Sequence, residues 1–134
     1  MSGTVRTEVA DGVGTIVLDH VERRNALTVA MWEALPGAAA AMTDDDAVRV
    51  VVVRGAGEVA FASGADISEF ETTRSSAELN RSYDRLVATA TGALGAIPKP
   101  VVAAVHGFCL GGGLAVALGC DLRVVADDAS FAIP

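Results

Sequence analysis

Several residue types that define common protein classes are scarce in this sequence. Its 134 residues include two cysteines, one lysine among ten basic residues, and an aromatic content of only 4%. Cys109 and Cys120 lie in apolar surroundings, and no second pair of metal-ligand residues accompanies them. We therefore predict two buried free thiols, no disulfide and no metal site.

Basic residues are too few and too scattered for nucleic-acid binding. The net charge is −7, whereas binding to a phosphate backbone requires a basic face. Arg23 and Arg24 form the one adjacent basic pair, which is enough for the phosphates of a small anionic ligand. The first residues lack the basic end and apolar run of a signal peptide, so we expect a reduced, cytoplasmic protein.

Motifs of several well-known enzyme sites are missing or incomplete. The sequence contains neither the phosphate loop G-x-x-x-x-G-K-[ST] nor the serine elbow G-x-S-x-G. Residues 55–60 match the dinucleotide-binding pattern G-x-G-x-x-A, but residues 59–61 are not typical of a helix start, which leaves this site as a weaker alternative. His20 lies in a connecting loop, and His106, at a strand end, is interpreted as a packed or locally hydrogen-bonded residue.

The sequence is rich in apolar residues, at 51%, and is organised around residues 101–121. A β-branched run at 101–105 leads to three glycines at 111–113 and then to an Ala/Leu/Val segment. This pattern predicts a strand followed by a helix, whose first N–H groups lack partners and can hold a negative charge. A membrane span over 101–119 is the alternative, but the three glycines and the following Asp121, interpreted as structural, favour a buried turn.

Strands and helices alternate in the rest of the sequence. Residues 5–10 and 13–19 predict a hairpin, and residues 48–53 predict a strand that is buried on both faces. Thr28 predicts the start of a helix, which Pro36 should kink or end early. The other predictions are a loop at 55–63 anchored by Phe61, a helix cap at Ser75 or Ser76, a helix stop at Pro98, and strands at 122–126 and 130–133.

Residues 48–71 repeat the order of strand, glycine loop and helix that residues 101–119 have. Asp66 and Glu69 show the spacing of a capping box, in which each side chain bonds the backbone N–H of the other. A short helix should therefore start at Asp66, so Ala65 supplies a second N–H group at a loop-to-helix junction.

These segments, taken in order, resemble the N-terminal part of the crotonase, or enoyl-CoA hydratase/isomerase, superfamily. The motifs are RNAL at 24–27, VRVVV at 48–52, FASGADI at 61–67, PKPVVAAVHG at 98–107, GGGL at 111–114 and CDLR at 120–123. The resemblance implies an α/β fold, a crotonase-like spiral of repeated ββα units, with residues 1–134 as its acyl-CoA-binding core. Family members are longer, so we expect a fragment that stops before the C-terminal helices and is soluble only with its missing half or as an oligomer.

The resemblance also implies where the site lies and what it binds. The N–H groups of Ala65 and Gly112 would form an oxyanion hole for the thioester carbonyl of an acyl-CoA, as it becomes an enolate. The residues implied to bind this substrate are Arg24, Ala26, Ala62, Ala65, Asp66, Ile67, Gly111, Gly112 and Pro134. Coenzyme A is part of the substrate, so no separate cofactor is implied. The expected partners are an acyl-CoA, with no nucleic acid and no membrane, and the expected assembly is a homotrimer or a dimer of trimers.

The sequence departs from the family pattern at one functional position. Ala115 stands where the hydratases have a glutamate, two residues after the third glycine, and alanine cannot transfer a proton. The general acid or base is therefore unassigned, and ordinary water addition to an enoyl-CoA is disfavoured. Double-bond isomerisation, decarboxylation, thioester hydrolysis and acyl-CoA binding without chemistry all stay open.

Overall fold

The computed structural model describes residues 3–134, which form eight strands and four α-helices. The strands are β1 (Thr4–Ala10), β2 (Val13–Asp19), β3 (Val50–Gly55), β4 (Ala60–Ala62), β5 (Val101–Val105), β6 (Phe108–Leu110), β7 (Leu122–Val125) and β8 (Ser130–Ala132). The helices are α1 (Val29–Asp44), α2 (Phe70–Thr73), α3 (Ala77–Gly95) and α4 (Gly112–Leu118), with short 3-10 turns at Val21–Arg23 and Ile67–Glu69.

The strands form two sheets that the chain visits in turn. The larger sheet has the order β1-β2-β3-β5-β7, and only the predicted β1-β2 hairpin is antiparallel. The smaller sheet has the order β4-β6-β8, with parallel pairing throughout. The chain twice adds a strand to the larger sheet, then one to the smaller sheet, and then a helical segment, before it ends with β7 and β8. The predicted spiral of ββα units is confirmed.

The hydrophobic core is formed by the larger sheet, the helices α1, α3 and α4, and the strands β4 and β6. Alternate residues of β3, such as Val51 and Val53, are buried, while those between them are only half-buried. The prediction of a strand buried on both faces is therefore wrong, because only one face of β3 packs against the core. Its start is also later than predicted, since Val48 lies in a turn and donates its N–H to the carbonyl of Asp45.

Helix α1 begins where predicted but does not break at its proline. The Thr28 hydroxyl accepts a hydrogen bond from the N–H of Met31, and the helix continues through Pro36 to Asp44. Leu35 and Met42, on either side of the proline, are both buried. We infer that this packing offsets the hydrogen bond that a proline removes, so the expected early end is wrong.

Two short strands, β4 and β6, were not anticipated from the sequence. The predicted loop at 55–63 contains β4, which pairs with β6 in parallel. The residues after Gly57 thus lead into a strand rather than a helix, so the dinucleotide-binding alternative is wrong. Residues 101–119 contain β5, β6 and the seven-residue helix α4, and no helix in the described part of the chain has the length and apolarity to cross a membrane.

Both cysteines are buried free thiols, as predicted. Burial raises the pKa of Cys109 to about 11 and that of Cys120 to about 12. Since the thiolate is the reactive form, neither thiol is suited to act as a nucleophile or a metal ligand at neutral pH.

The single lysine of the sequence holds the C-terminal end of α1. Lys99 donates hydrogen bonds from Nζ to the carbonyls of Met42, at 2.7 Å, and Asp45, at 2.8 Å. Carbonyls at a helix end have no partner within the helix, so this ammonium group takes the place of a cap.

We expect Lys99→Met to lower the free energy of unfolding by about 2 kcal/mol, because it removes two hydrogen bonds from a charged donor and keeps the aliphatic stem. Urea denaturation measures the change. Arg85→Met is the matched control, since Arg85 is exposed and, within residues 3–134, its guanidinium bonds only to Ser82 Oγ, at 3.3 Å. Equal losses in the two variants would contradict the capping role.

Candidate functional site

Two chain corners meet at one edge of the smaller sheet. One follows β4 at residues 63–66, and the other follows β6 at Gly111; because β4 and β6 are parallel neighbours, both corners lie at the same edge. A Cβ on Gly111 would lie 3.9 Å from Cα of Gly64, and a Cβ on Gly112 would lie 3.6 Å from the nitrogen of Ala65. Gly111 has a φ of 50°, a turn conformation that favours glycine.

The backbone N–H groups of Ala65 and Gly112 have no acceptor within residues 3–134. Their neighbours are paired, because Leu27 donates to the carbonyl of Gly64, at 2.7 Å, and Asp66 donates to that of Leu27, at 2.9 Å. Gly112 is the first residue of α4, a position whose N–H has no partner inside the helix. Two adjacent donors are therefore available to an oxygen atom that carries negative charge.

Both donors belong to residues that line a cavity of about 340 Å³. The α3 helix contributes one part of its wall, and the two corners contribute another. The lining residues are Trp32, Ala65, Arg74, Tyr83, Asp84, Val87, Ala88, Gly111, Gly112 and Ala115. The lining is largely apolar, which favours an acyl chain and strengthens any hydrogen bond made inside it.

A larger cavity, of about 720 Å³, lies at the carboxyl ends of β3, β5 and β7. It is lined by Arg54, Glu58, His106, Asp127 and other residues, but by neither of the two donor residues. The Nε2 atom of His106 is buried and has no hydrogen-bond partner within residues 3–134. This histidine lines the larger cavity and lies away from the two N–H groups.

A polar cluster closes one side of the smaller cavity. The indole N–H of Trp32 donates to the hydroxyl oxygen of Tyr83 at 3.0 Å, and both side chains are buried. Arg74 lies over the Tyr83 ring, 4.4 Å from its centroid, and forms an ion pair with Asp84 at 3.0 Å. Burial raises the pKa of Tyr83. These four residues did not emerge as site residues from the sequence, although Trp32 and Tyr83 are its single tryptophan and tyrosine.

Asp66 and Glu69 both stabilise the first corner, but not as a capping box. Asp66 caps the turn as predicted, because its carboxylate accepts hydrogen bonds from the N–H of Ser68, at 3.0 Å, and from the Ser68 hydroxyl, at 2.6 Å. These bonds lower its pKa. Glu69 instead accepts from the N–H of Val29, at 2.8 Å, in the first turn of α1. The predicted contact between the Glu69 carboxylate and the N–H of Asp66 is therefore wrong. Glu69 bonds instead to an N–H in the first turn of α1, which has no acceptor inside that helix.

The segments predicted to bind coenzyme A lie side by side. Ser63 donates its N–H to the carbonyl of Arg24, at 3.1 Å, which joins the loop at 24–26 to the corner at 63–66. The Arg24 guanidinium lies 5.3 Å from the centroid of Phe108. Ile67 is 74% exposed, so its side chain is accessible to a ligand along this edge.

The remaining predicted positions differ in how close they come to the donors. Pro134 lies beside Gly111, with its Cδ 3.6 Å from where a Cβ would be. Ala26 is half-buried in the adjoining loop, whereas Ala62 is fully buried and exposes no side-chain surface to a ligand.

Asp121 is structural, as interpreted from the sequence, because its carboxylate accepts from the N–H of Val101 at 2.8 Å. Within residues 3–134, no three His, Cys, Asp or Glu side chains are grouped for metal binding.

Comparison with known proteins gives consistent results. Residues 8–134 match the family model for enoyl-CoA hydratase/isomerase. A crotonyl-CoA hydratase of Syntrophomonas wolfei is 33% identical over 95% of this chain and 48% of its own length, and a hydroxycinnamoyl-CoA hydratase-lyase of Pseudomonas fluorescens is 32% identical over 97% and 48%. The crystal structure of an enoyl-CoA hydratase/carnithine racemase from Magnetospirillum magneticum superposes with a TM-score of 0.94, at 40% identity over 97% of this chain and 49% of that one.

The chain spans about half the length of these relatives. Their names describe different reactions of CoA thioesters, while the match to the family model covers nearly the whole of this chain. On this match, and on the ββα spiral that it shares with the solved structure, the chain belongs to the enoyl-CoA hydratase/isomerase family, the crotonase superfamily.

Proposed function

We propose that this chain binds an acyl-CoA thioester and holds the thioester oxygen between the N–H groups of Ala65 and Gly112. The observation that carries the proposal is that both groups are unpaired and belong to residues lining one cavity. An oxygen that gains negative charge, as in an enolate, would bind two fixed donors more tightly than the neutral carbonyl does.

Direct hydrogen bonding supplies most of this stabilisation. The α4 helix has only seven residues, so its dipole adds less than the two N–H groups themselves. Loss of one donor of this kind costs about 3 kcal/mol of transition-state stabilisation in other enzymes. The apolar lining of the cavity would preserve this effect by keeping water away from the oxygen.

The coenzyme A part would extend along the corner at 63–66 and the neighbouring loop at 24–26. Two features support this direction. Arg23 and Arg24 bring positive charge to a chain whose net charge is −7, and phosphate groups require such local cations. The exposed Ile67 offers apolar surface beside them.

The reaction would be one of those catalysed in the hydratase/isomerase family. Ala115 lines the cavity with a methyl group, so α4 provides no carboxylate there. This observation favours a reaction other than ordinary hydration. The second candidate is acyl-CoA binding without chemistry. Assembly into a homotrimer or a dimer of trimers is part of the same proposal, and the mass of the full-length protein in solution tests it.

The proposal predicts that the full-length protein moves the carbonyl resonance of ¹³C-labelled butyryl-CoA downfield, because hydrogen bonds polarise the thioester. Gly112→Pro deletes one donor, so we expect most of this shift to disappear and the affinity to fall about tenfold. Proline is compatible with the first position of a helix, where no N–H bond is lost.

Gly112→Ala is the matched control. It also adds a Cβ, which would lie 3.0 Å from Cζ2 of Trp32, but it keeps the N–H group. We expect it to retain the carbonyl shift. Equal shifts with the proline and alanine variants would refute the role of the Gly112 N–H, and absence of butyryl-CoA binding by the parent protein would refute the proposed function.

A further inference from the structure

A titratable hydroxyl lies in the same cavity as the two unpaired N–H groups. Tyr83 is 6% exposed and lines the cavity from α3. Its oxygen accepts a hydrogen bond from the indole N–H of Trp32 at 3.0 Å. Among the residues described, none accepts a hydrogen bond from the Tyr83 O–H, so its proton is available to a molecule in the cavity.

Trp32 connects this hydroxyl to the second donor. Its indole is fully buried, and its Cζ2 would lie 3.0 Å from a Cβ on Gly112. The Nε1 atom of the same rigid ring bonds to Tyr83. The phenol oxygen and the backbone of Gly112 therefore pack against neighbouring atoms on the same edge of one buried indole ring, which fixes their relative placement.

The other groups around the cavity are less suited to move a proton. The side chain of Asp84 is 67% exposed and forms an ion pair with Arg74, which in turn lies over the ring of Tyr83. Guanidinium groups do not give up a proton in proteins, so Arg74 is not a proton carrier. Ala115 has no ionisable group. Tyr83 is thus the buried proton carrier among the lining residues.

We propose that Tyr83 is a catalytic acid–base residue that exchanges a proton with the α carbon of the bound acyl group. This inference rests on the function proposed above. The phenolate oxygen takes the α proton, and the electron pair of the C–H bond forms the C=C bond of the enolate. The carbonyl π electrons move to the oxygen held by Ala65 and Gly112. In the reverse direction the phenol returns a proton to the α carbon and the carbonyl re-forms.

Charged groups on several elements set the pH dependence of this step. Burial raises the pKa of Tyr83, and the carboxylates of Glu69 and Asp66 act in the same direction. The N–H of Trp32 and the guanidinium of Arg74 oppose this effect, since both stabilise the phenolate. The phenol is therefore the resting form at neutral pH. Proton removal should accelerate about tenfold per pH unit until Tyr83 ionises.

Exchange of the α protons of butyryl-CoA in D₂O tests the proposal with the full-length protein. Mass spectrometry should detect deuterium uptake above the buffer rate, increasing with pH. We expect Tyr83→Phe to slow this uptake by at least about 100-fold, since general acid–base catalysis contributes at least that much. The same variant should keep the ¹³C carbonyl shift of bound butyryl-CoA.

Trp32→Phe distinguishes a catalytic role of the Tyr83 hydroxyl from a structural one. Like Tyr83→Phe, it removes the hydrogen bond between Trp32 and Tyr83, but it leaves the hydroxyl in place. Its exchange should persist with a pH profile displaced to higher pH, since the phenolate has lost a donor. Undiminished exchange in Tyr83→Phe, loss of exchange in Asp84→Asn alone, or no exchange by parent protein that binds butyryl-CoA would each overturn the proposal. Absence of the carbonyl shift when butyryl-CoA binds to the parent protein would instead overturn the proposal that Ala65 and Gly112 hold the thioester oxygen.

Discussion

Replacing Gly113 with alanine is expected to lower the free energy of unfolding by about 3 kcal/mol or more, and to damage the candidate site as well. Gly113 is buried in α4. A Cβ there would overlap the carbonyl oxygen of Ala62 and would lie 2.9 Å from the carbonyl carbon. Both atoms belong to the backbone of β4, so no side-chain rotation can relieve the overlap. The α4 helix must move, which would separate the N–H of Gly112 from that of Ala65.

Gly92→Ala is the matched control for this substitution. Gly92 is an exposed residue of α3, and apart from the adjoining backbone of that helix no atom of residues 3–134 lies within 4 Å of the position that a Cβ would take. Alanine is favoured over glycine in a helix, so the control should gain about 1 kcal/mol in stability. Urea denaturation of both variants should therefore reveal a difference of about 4 kcal/mol. If Gly113→Ala were as stable as the control, the close approach of α4 to β4 would be incorrect.

The two corners that carry the candidate site could be predicted because their chemistry is local. A glycine run marks the start of α4, and Asp66 marks the start of the turn at Ile67–Glu69. Capping residues act within a few positions of themselves, as Thr28 and Ser76 also do for α1 and α3. Such patterns are visible in the sequence before any tertiary contact is known.

The rest of the site depends on contacts between residues far apart in the sequence. The strands β4 and β6 have three residues each, too few for an alternating pattern to be recognised. The bond between Glu69 and Val29 spans 40 residues, and that between Trp32 and Tyr83 spans 51. Since no local spacing encodes these pairs, the wall that α3 adds to the cavity became visible only in the folded chain.

Asn25 is the second residue whose replacement should have a large effect, because one buried side chain joins three segments. It is 1% exposed. Its Oδ1 accepts from the N–H of His20 at 2.8 Å, and its Nδ2 donates to the carbonyls of Ala56, at 3.0 Å, and Ala60, at 2.8 Å. These bonds fix the loop after β2 against the end of β3 and the start of β4. They therefore hold the proposed coenzyme A loop at 24–26 in place.

Two substitutions separate the side-chain bonds of Asn25 from its backbone conformation. Asn25 has a φ of 57°, which asparagine and glycine tolerate better than alanine. Asn25→Gly removes the three hydrogen bonds without backbone strain and should cost about 3 kcal/mol of unfolding free energy. Asn25→Ala should cost about 1 kcal/mol more, because it adds the strain of the left-handed conformation. Urea denaturation measures both values.

Asn25→Asp tests the direction of these hydrogen bonds, since it keeps the shape but replaces the donor with a carboxylate oxygen. That oxygen would face the carbonyls of Ala56 and Ala60, so the pKa of the new carboxyl group should be raised in the folded state. A protonated carboxyl can still donate one bond, and a raised folded-state pKa means that the folded form binds more protons than the unfolded form. The stability of the variant relative to the parent should therefore be highest below about pH 4, the ordinary pKa of aspartate, and decline as the pH rises above it. A variant whose stability relative to the parent does not depend on pH would show that Nδ2 is not the donor that joins β3 to β4.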